Sequence, residues 1–158
     1  MNGTIMLNQE IREQVTQTLR QLLSDTYVIY LKTQNFHWNL IDPRFYFLHL
    51  LFEDEYKQLA EAVDEIAERI RILGEKTPAS MKKFLEMTTL EESGSDVTAD
   101  DMIKQLYEDH EKIASQIRGQ IAPTQKIGDE GTADLLIDRL RYHEKTAWIL
   151  CSHINDYE

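Results

Sequence analysis

Between Asp42 and Gly74 the apolar positions fall at 45, 48, 52, 56, 59, 63, 66, 70 and 73. The steps are three or four residues, the pattern of a helix that buries one stripe. Asp42 is placed to cap this helix, and Pro43 fits its first position, where no N–H is needed. Gly74 fits just past its end. A preceding helix is predicted from Leu7 to about Asn39, with Ile11, Val15, Leu19, Leu22, Leu23 and Tyr30 inward and no Gly or Pro to interrupt it. Tyr27-Val-Ile-Tyr-Leu is broadly apolar, but its place inside a longer helical pattern favours helix over strand. Residues 1–7 read as loose. Residues 74–97 form a connection, broken at Thr77-Pro78 and at Ser93-Gly94-Ser95, in which Ser80 caps a short helix over 81–87. Thr98, with Asp101 three residues on, caps a third long helix. Met102, Leu106, Ile113, Ile117 and Ile121 form its stripe, and Pro123 is predicted to end it. After a loop over 123–131, Thr132 is predicted to cap a fourth helix to about Asn155, with Leu136, Leu140, Ala147, Leu150 and Ile154 inward. Strand signals are missing throughout.

Four long helices with a small helix in one long crossover predict an all-α bundle of ferritin-like architecture in a single domain, 1–158. The chain is long enough for a real core. Its net charge of −11 argues against general affinity for nucleic acid or anionic membrane. A single cysteine, Cys151, suits a reducing compartment. No apolar run resembles a signal peptide or reaches a membrane span. The expectation is a cytoplasmic protein.

The chemistry-bearing residues cluster on and beside the second helix. His37 and His49 flank the Asp42-Pro43 turn, and Glu53, Asp64 and Glu68 follow. Taking His49 as zero, Glu53 lies at about 40°, Asp64 at about 60° and Glu68 at about 100° around the helix. They share one flank, yet Glu53 and Asp64 are ~16 Å apart along the axis. Metal–ligand bonds of about 2.0–2.2 Å cannot bridge that from one helix. An antiparallel second copy would set His49 and Glu53 of one chain against Asp64 and Glu68 of the other, through a twofold contact. The competing reading is three solvated carboxylates and a packed histidine. A Glu-x-x-His motif, which places metals inside many four-helix bundles, is missing. Tyr107 and Leu140 stand three residues before His110 and His143, which therefore read as structural, as do His153 and Cys151. Trp148 reads as a core or interface aromatic.

Phe36-His-Trp-Asn, Phe45, Leu48-His49, Phe52-Glu53, Tyr56, Asp64, Ala67-Glu-Arg-Ile70 and Leu73-Gly74 together resemble the signature of the Dps family, the miniferritins. The resemblance extends over the whole chain, through Gly128-Asp129 to Leu136 and Lys145-x-x-Trp148. It implies hollow dodecamers with ferroxidase centres at twofold interfaces. His37, His49 and Glu53 of one subunit would face Asp64 and Glu68 of its mate. The substrates implied are Fe²⁺ and hydrogen peroxide, or oxygen, with ferric oxide stored in the cavity and no organic cofactor. Many family members carry aspartate where Glu53 stands, which puts the second metal position in question. Trp38 has two readings, a trap for stray oxidising equivalents or interface packing. Asp129, Glu130 and Asp134 would line a threefold iron pore, or else serve the helix N-terminus. DNA-binding members carry a lysine-rich tail, but residues 1–20 hold no lysine and only Arg12 and Arg20, and the chain ends Asn155-Asp-Tyr-Glu158. Direct DNA binding is therefore not expected near neutral pH. The alternatives are a nucleoid protein that shields DNA, and a non-catalytic assembly holding zinc or manganese.

Overall fold

Asn8 opens the first helix by accepting a hydrogen bond from the Ile11 N–H, and the helix α1 runs Gln9–Asn39. The computed structural model describes residues 7–154. The first six residues and the last four lie outside the described residues, and with them most of the N-terminal stretch expected to be loose and the acidic C-terminal end. Four further helices follow: α2 Phe45–Ile72, α3 Met81–Met87, α4 Ala99–Lys126 and α5 Glu130–Cys151. No strand occurs among the described residues.

α1 packs on α2 and α4 on α5, and the pairs meet through α1–α4 and α2–α5. This is the predicted four-helix bundle with a long crossover. Its core is continuous, from Leu19, Leu23, Ile29 and Phe36 on α1 to Phe52, Leu59 and Ile66 on α2 and Met102, Leu106 and Ile113 on α4. The crossover is tied down by α1. Asp25 accepts bonds from Thr88 Oγ1 and the Thr89 N–H. Lys32 donates to the Glu91 carbonyl and pairs with Asp109 at 2.8 Å. Asn35 donates to the carbonyls of Ser93 and Gly94.

Some termini follow the sequence reading closely. Ser80 accepts from the Lys83 N–H, and Thr98 accepts from the Asp101 N–H. Gly74, at φ 93°, closes α2 with the Glu75 N–H bonded to the Ile70 carbonyl. That is the Schellman arrangement, which a left-handed residue makes possible.

Three boundaries differ. Asp42 does not cap α2 directly. Its carboxylate accepts from the Arg44 N–H, forming a turn that delays the helix to Phe45. Pro43 sits inside that turn rather than at the first helical position. Pro123 does not end α4, which continues to Lys126. A proline removes the bond to the residue four before it and crowds that carbonyl, and here that residue, Gly119, is exposed, so the carbonyl can tilt out to water. The chain turns instead at Gly128, φ 82°, where the Asp129 N–H closes a second Schellman turn on the Thr124 carbonyl. Asp129, not Thr132, then caps α5 by accepting from the Thr132 N–H. One residue ends α4 and starts α5, so the predicted nine-residue loop contracts to residues 127–129.

The buried stripe of α2 is also rotated. Glu55 and Ala62 are buried, whereas Tyr56 and Val63 are only half-buried.

Candidate metal centre

The Asp42–Phe45 turn folds the start of α2 back against the end of α1. His37 and His49 meet there with rings stacked 3.8 Å apart and 16° from parallel. Each ring bonds the other residue's backbone. His37 Nδ1 lies 2.8 Å from the His49 carbonyl, and His49 Nδ1 lies 3.0 Å from the His37 carbonyl. A carbonyl can only accept, so each Nδ1 carries a hydrogen, and in the neutral ring it is Nε2 that holds the lone pair. The His37 carbonyl is one of the last four of α1, which lack intrahelical partners. The helix end thus fixes the tautomer of the second ring. Phe45 stacks on His49 at 4.8 Å, and Tyr56 meets His37 edge-on at 5.1 Å. His37 is buried and His49 half-buried.

Glu53 lies one turn beyond His49, but Lys57 engages its carboxylate at 2.6 Å. That bond, reinforced by the lysine's charge, holds the Glu53 carboxyl below its usual range. Asp64 and Glu68 are exposed farther along α2. One chain therefore brings His37 and His49 together, holds Glu53 one turn farther on against Lys57, and leaves Asp64 and Glu68 apart. Among the described residues, no group of three or more His, Cys, Asp or Glu side chains in a single chain is arranged to hold a metal ion.

An apolar strip flanks the face of α2 that carries Asp64 and Glu68. Val63 and Ala67, one residue before each, line a groove with Pro78, Ala79 and Met81. Leu31, Met81 and Leu85 stand exposed beside it on α1 and α3.

The acidic residues at the start of α5 divide. Glu130 and Asp134 are exposed, but Asp129 is only 3% exposed. Its carboxylate accepts from Arg69 Nη2 at 2.7 Å and from Thr132 Oγ1 at 2.6 Å. Asp129 is thus neutralised inside the fold and faces no solvent. A β-carbon on Gly131 would lie 2.7 Å from Arg69 Nη2, so this glycine admits the guanidinium.

Inside the bundle lies a second polar cluster. His110 and His143 are fully buried and share a 2.8 Å Nδ1–Nδ1 hydrogen bond. Glu55 Oε2 is 3.9 Å from His110 Nε2, and Arg139 Nη1 donates to Gln58 with its guanidinium over the Tyr142 ring. Burial pushes Glu55 up to about 8, with Asp54 adding to the rise. Burial, then Arg139, pulls His110 down to about 3. The two histidines fit the predicted structural role, holding α4 to α5. Glu55 was missed by the sequence reading, although it lies three residues after Phe52 and four before Leu59, which is a core-facing position. Trp148 is 67% exposed and is not a core residue. Trp38 also projects outward, 63% exposed.

Comparison with known proteins places the fold. Residues 16–158 match the ferritin-like domain family. The DNA protection during starvation protein 2 of Bacillus anthracis is 35% identical over 145 residues, 92% of this chain and 99% of that protein. The chain belongs to the Dps family of ferritin-like proteins. DpsC from Streptomyces coelicolor superposes with a TM-score of 0.94 at 31% identity, covering 100% of this chain and 93% of that one. The Dps protein of Vibrio cholerae, described as a member of a broad superfamily of ferritin-like diiron-carboxylate proteins, gives a TM-score of 0.90 at 28% identity over 96% of each chain. This Dps chain thus shares both its fold and its length with them. No helix among the described residues is long and apolar enough to cross a membrane.

Proposed function

We propose that this Dps protein oxidises Fe²⁺ with hydrogen peroxide at sites shared between two subunits and stores the ferric product in a hollow homo-oligomer. The observation that carries this reading is the reciprocal His37–His49 pair, which engages both Nδ1 atoms and leaves each Nε2 available to a metal. Two neutral imidazoles bind Fe²⁺ well, and carboxylates favour the harder ferric product. Membership in a ferritin-like diiron-carboxylate superfamily supports iron as the substrate.

The second half of the site comes from a twofold mate. Asp64 and Glu68 lie too far along α2 to serve their own histidines, and the apolar groove beside them offers a surface for a second copy. In this arrangement His37 and His49 bind the incoming cation, and the mate's Asp64 and Glu68 supply negative charge that stabilises the oxidised ion. Glu53 is held by Lys57 and joins only when that pair opens. Glu130 and Asp134 supply the carboxylates of an entry pore, with Asp129 excluded by its bond to Arg69. A dodecameric shell follows from the family resemblance.

The names of several relatives raise protection of DNA as a second reading. The net charge of −11 favours detoxification of peroxide over direct duplex binding.

The test is anaerobic Fe²⁺ titration followed by peroxide, read by ferric absorbance in wild type and in a His37→Ala, Asp64→Ala double variant. Rapid oxidation in wild type and its loss in the variant are expected. Equal, slow oxidation in both would point instead to a non-catalytic assembly, in which bound zinc cannot change oxidation state.

A further inference from the structure

A file of tyrosines leads away from the histidine pair. Tyr56 meets the His37 ring at 5.1 Å, Tyr30 lies 6.3 Å from Tyr56, and Tyr27 lies 5.8 Å from Tyr30. Tyr27 then stacks on Phe84 of α3 at 4.6 Å. All three tyrosines are half-buried. Each ring is in contact range of the next, and the file runs along the α1–α2 face without a gap. Gln34 donates to the Tyr30 oxygen at 3.1 Å, which fixes that phenol in place.

With Glu53 engaged by Lys57, the centre is left with two imidazoles and the mate's two carboxylates, a ligand set for one iron, and a second position lacks its carboxylate until that pair opens. Such a centre favours one iron at a time. Peroxide, however, takes two electrons, and one Fe²⁺ supplies one. Unassisted, Fe²⁺ and H₂O₂ give Fe³⁺, hydroxide and a free hydroxyl radical. A phenol against the ligand ring can supply the missing electron.

We infer that Tyr56 is the second electron donor to peroxide and that Tyr30 and Tyr27 carry the resulting hole away from the centre. This rests on the ferroxidase reading above. The step balances as Fe²⁺ + TyrOH + H₂O₂ + H⁺ giving Fe³⁺ + TyrO• + 2 H₂O. The phenolic O–H bond breaks, its electron and proton go to peroxide, and the O–O bond is cleaved to water. A second Fe²⁺ with a proton returns the phenoxyl to phenol and leaves Fe³⁺. The sum is two Fe²⁺ oxidised per peroxide with no hydroxyl radical released. Trp38, although adjacent in sequence to His37, projects outward from its own chain and is not part of the file.

The experiment loads the assembled protein anaerobically with less than one Fe²⁺ per chain, adds peroxide and freezes the mixture for electron paramagnetic resonance. Ferric absorbance is read on the same mixtures. Wild type, Tyr56→Phe, Tyr30→Phe and, as a control off the file, Tyr46→Phe are compared. Wild type and Tyr46→Phe are expected to give ferric product with a tyrosyl signal. Tyr56→Phe should still form ferric product but lose that signal and gain spin-trapped hydroxyl radical. Tyr30→Phe should retain a radical confined to Tyr56, with altered hyperfine structure and faster decay, and it carries the test even if Tyr56→Phe does not fold. A ferric product without radical in wild type, or an unchanged signal in Tyr56→Phe or Tyr30→Phe, overturns the relay while leaving the ferroxidase reading intact. Absence of ferric product in wild type overturns both.

Discussion

His37 and His49 each complete the other. Neither ring would present Nε2 reliably alone, because a free imidazole samples both tautomers. The spacing of His37, His49, Glu53, Asp64 and Glu68 is legible in the sequence, and the separation of Asp64 and Glu68 from the histidines is what raises the proposal of a second chain. The reciprocal bonds are not, because they depend on how the Asp42–Phe45 turn lays α2 against α1. Nor is the Lys57 pairing with Glu53, since lysine four residues after glutamate is ordinary on any solvated helix. Its consequence is measurable. Lys57→Ala should free Glu53 and tighten anaerobic Fe²⁺ binding by roughly tenfold, the low end of what a ligand's hydrogen-bond partner changes. An unchanged affinity by titration would remove Glu53 from the site.

At the scale of elements, the helices were readable wherever apolar periodicity and a capping residue coincide, as at Ser80, Thr98 and Gly74. The reading failed between α4 and α5, where two local signals compete with a tertiary one. Pro123 looks like a stop but crowds an exposed carbonyl that can turn to water, and Thr132 looks like a cap but is outcompeted by Asp129. The reason is Arg69 on α2, sixty residues away, which neutralises Asp129 inside the fold and cannot be paired with it by inspection of the chain. Arg69→Ala leaves that carboxylate buried and unpaired, at a cost of about 3 kcal/mol in denaturant unfolding. Gly131→Ala displaces the same guanidinium and should cost about 1 kcal/mol. Wild-type stability in both variants would show that the pair does not hold α5.

The buried Glu55–His110–His143 cluster gives the bundle a pH signature. Glu55 is raised on folding, so its contribution is fully present below about 4.5 and is lost as pH rises through about 8. His110 and His143 are lowered, so theirs is present above the usual histidine value of about 6.5 and is lost as pH falls, through about 3 for His110. Glu55→Gln should therefore remove the alkaline loss while keeping the acid one, in unfolding curves taken at fixed protein concentration. An identical alkaline slope in wild type and variant would rule Glu55 out as its source.

At the scale of the whole molecule, a strongly acidic chain with an exposed apolar face suits a closed shell that admits cations and repels polyanions. Duplex DNA should not shift in a gel at physiological salt and near-neutral pH, and a clear shift would restore the nucleoid reading. The shared site is the central claim, and complementation tests it most directly. His37→Ala and Asp64→Ala chains are assembled separately and together, and peroxide-driven ferric formation is followed. Each alone should be inactive. The mixture should recover roughly a quarter of the wild-type sites, because random twofold pairing restores one intact site in half of the dimers. A mixture as inactive as its components, or full activity in either single variant, would contradict a site built from two chains.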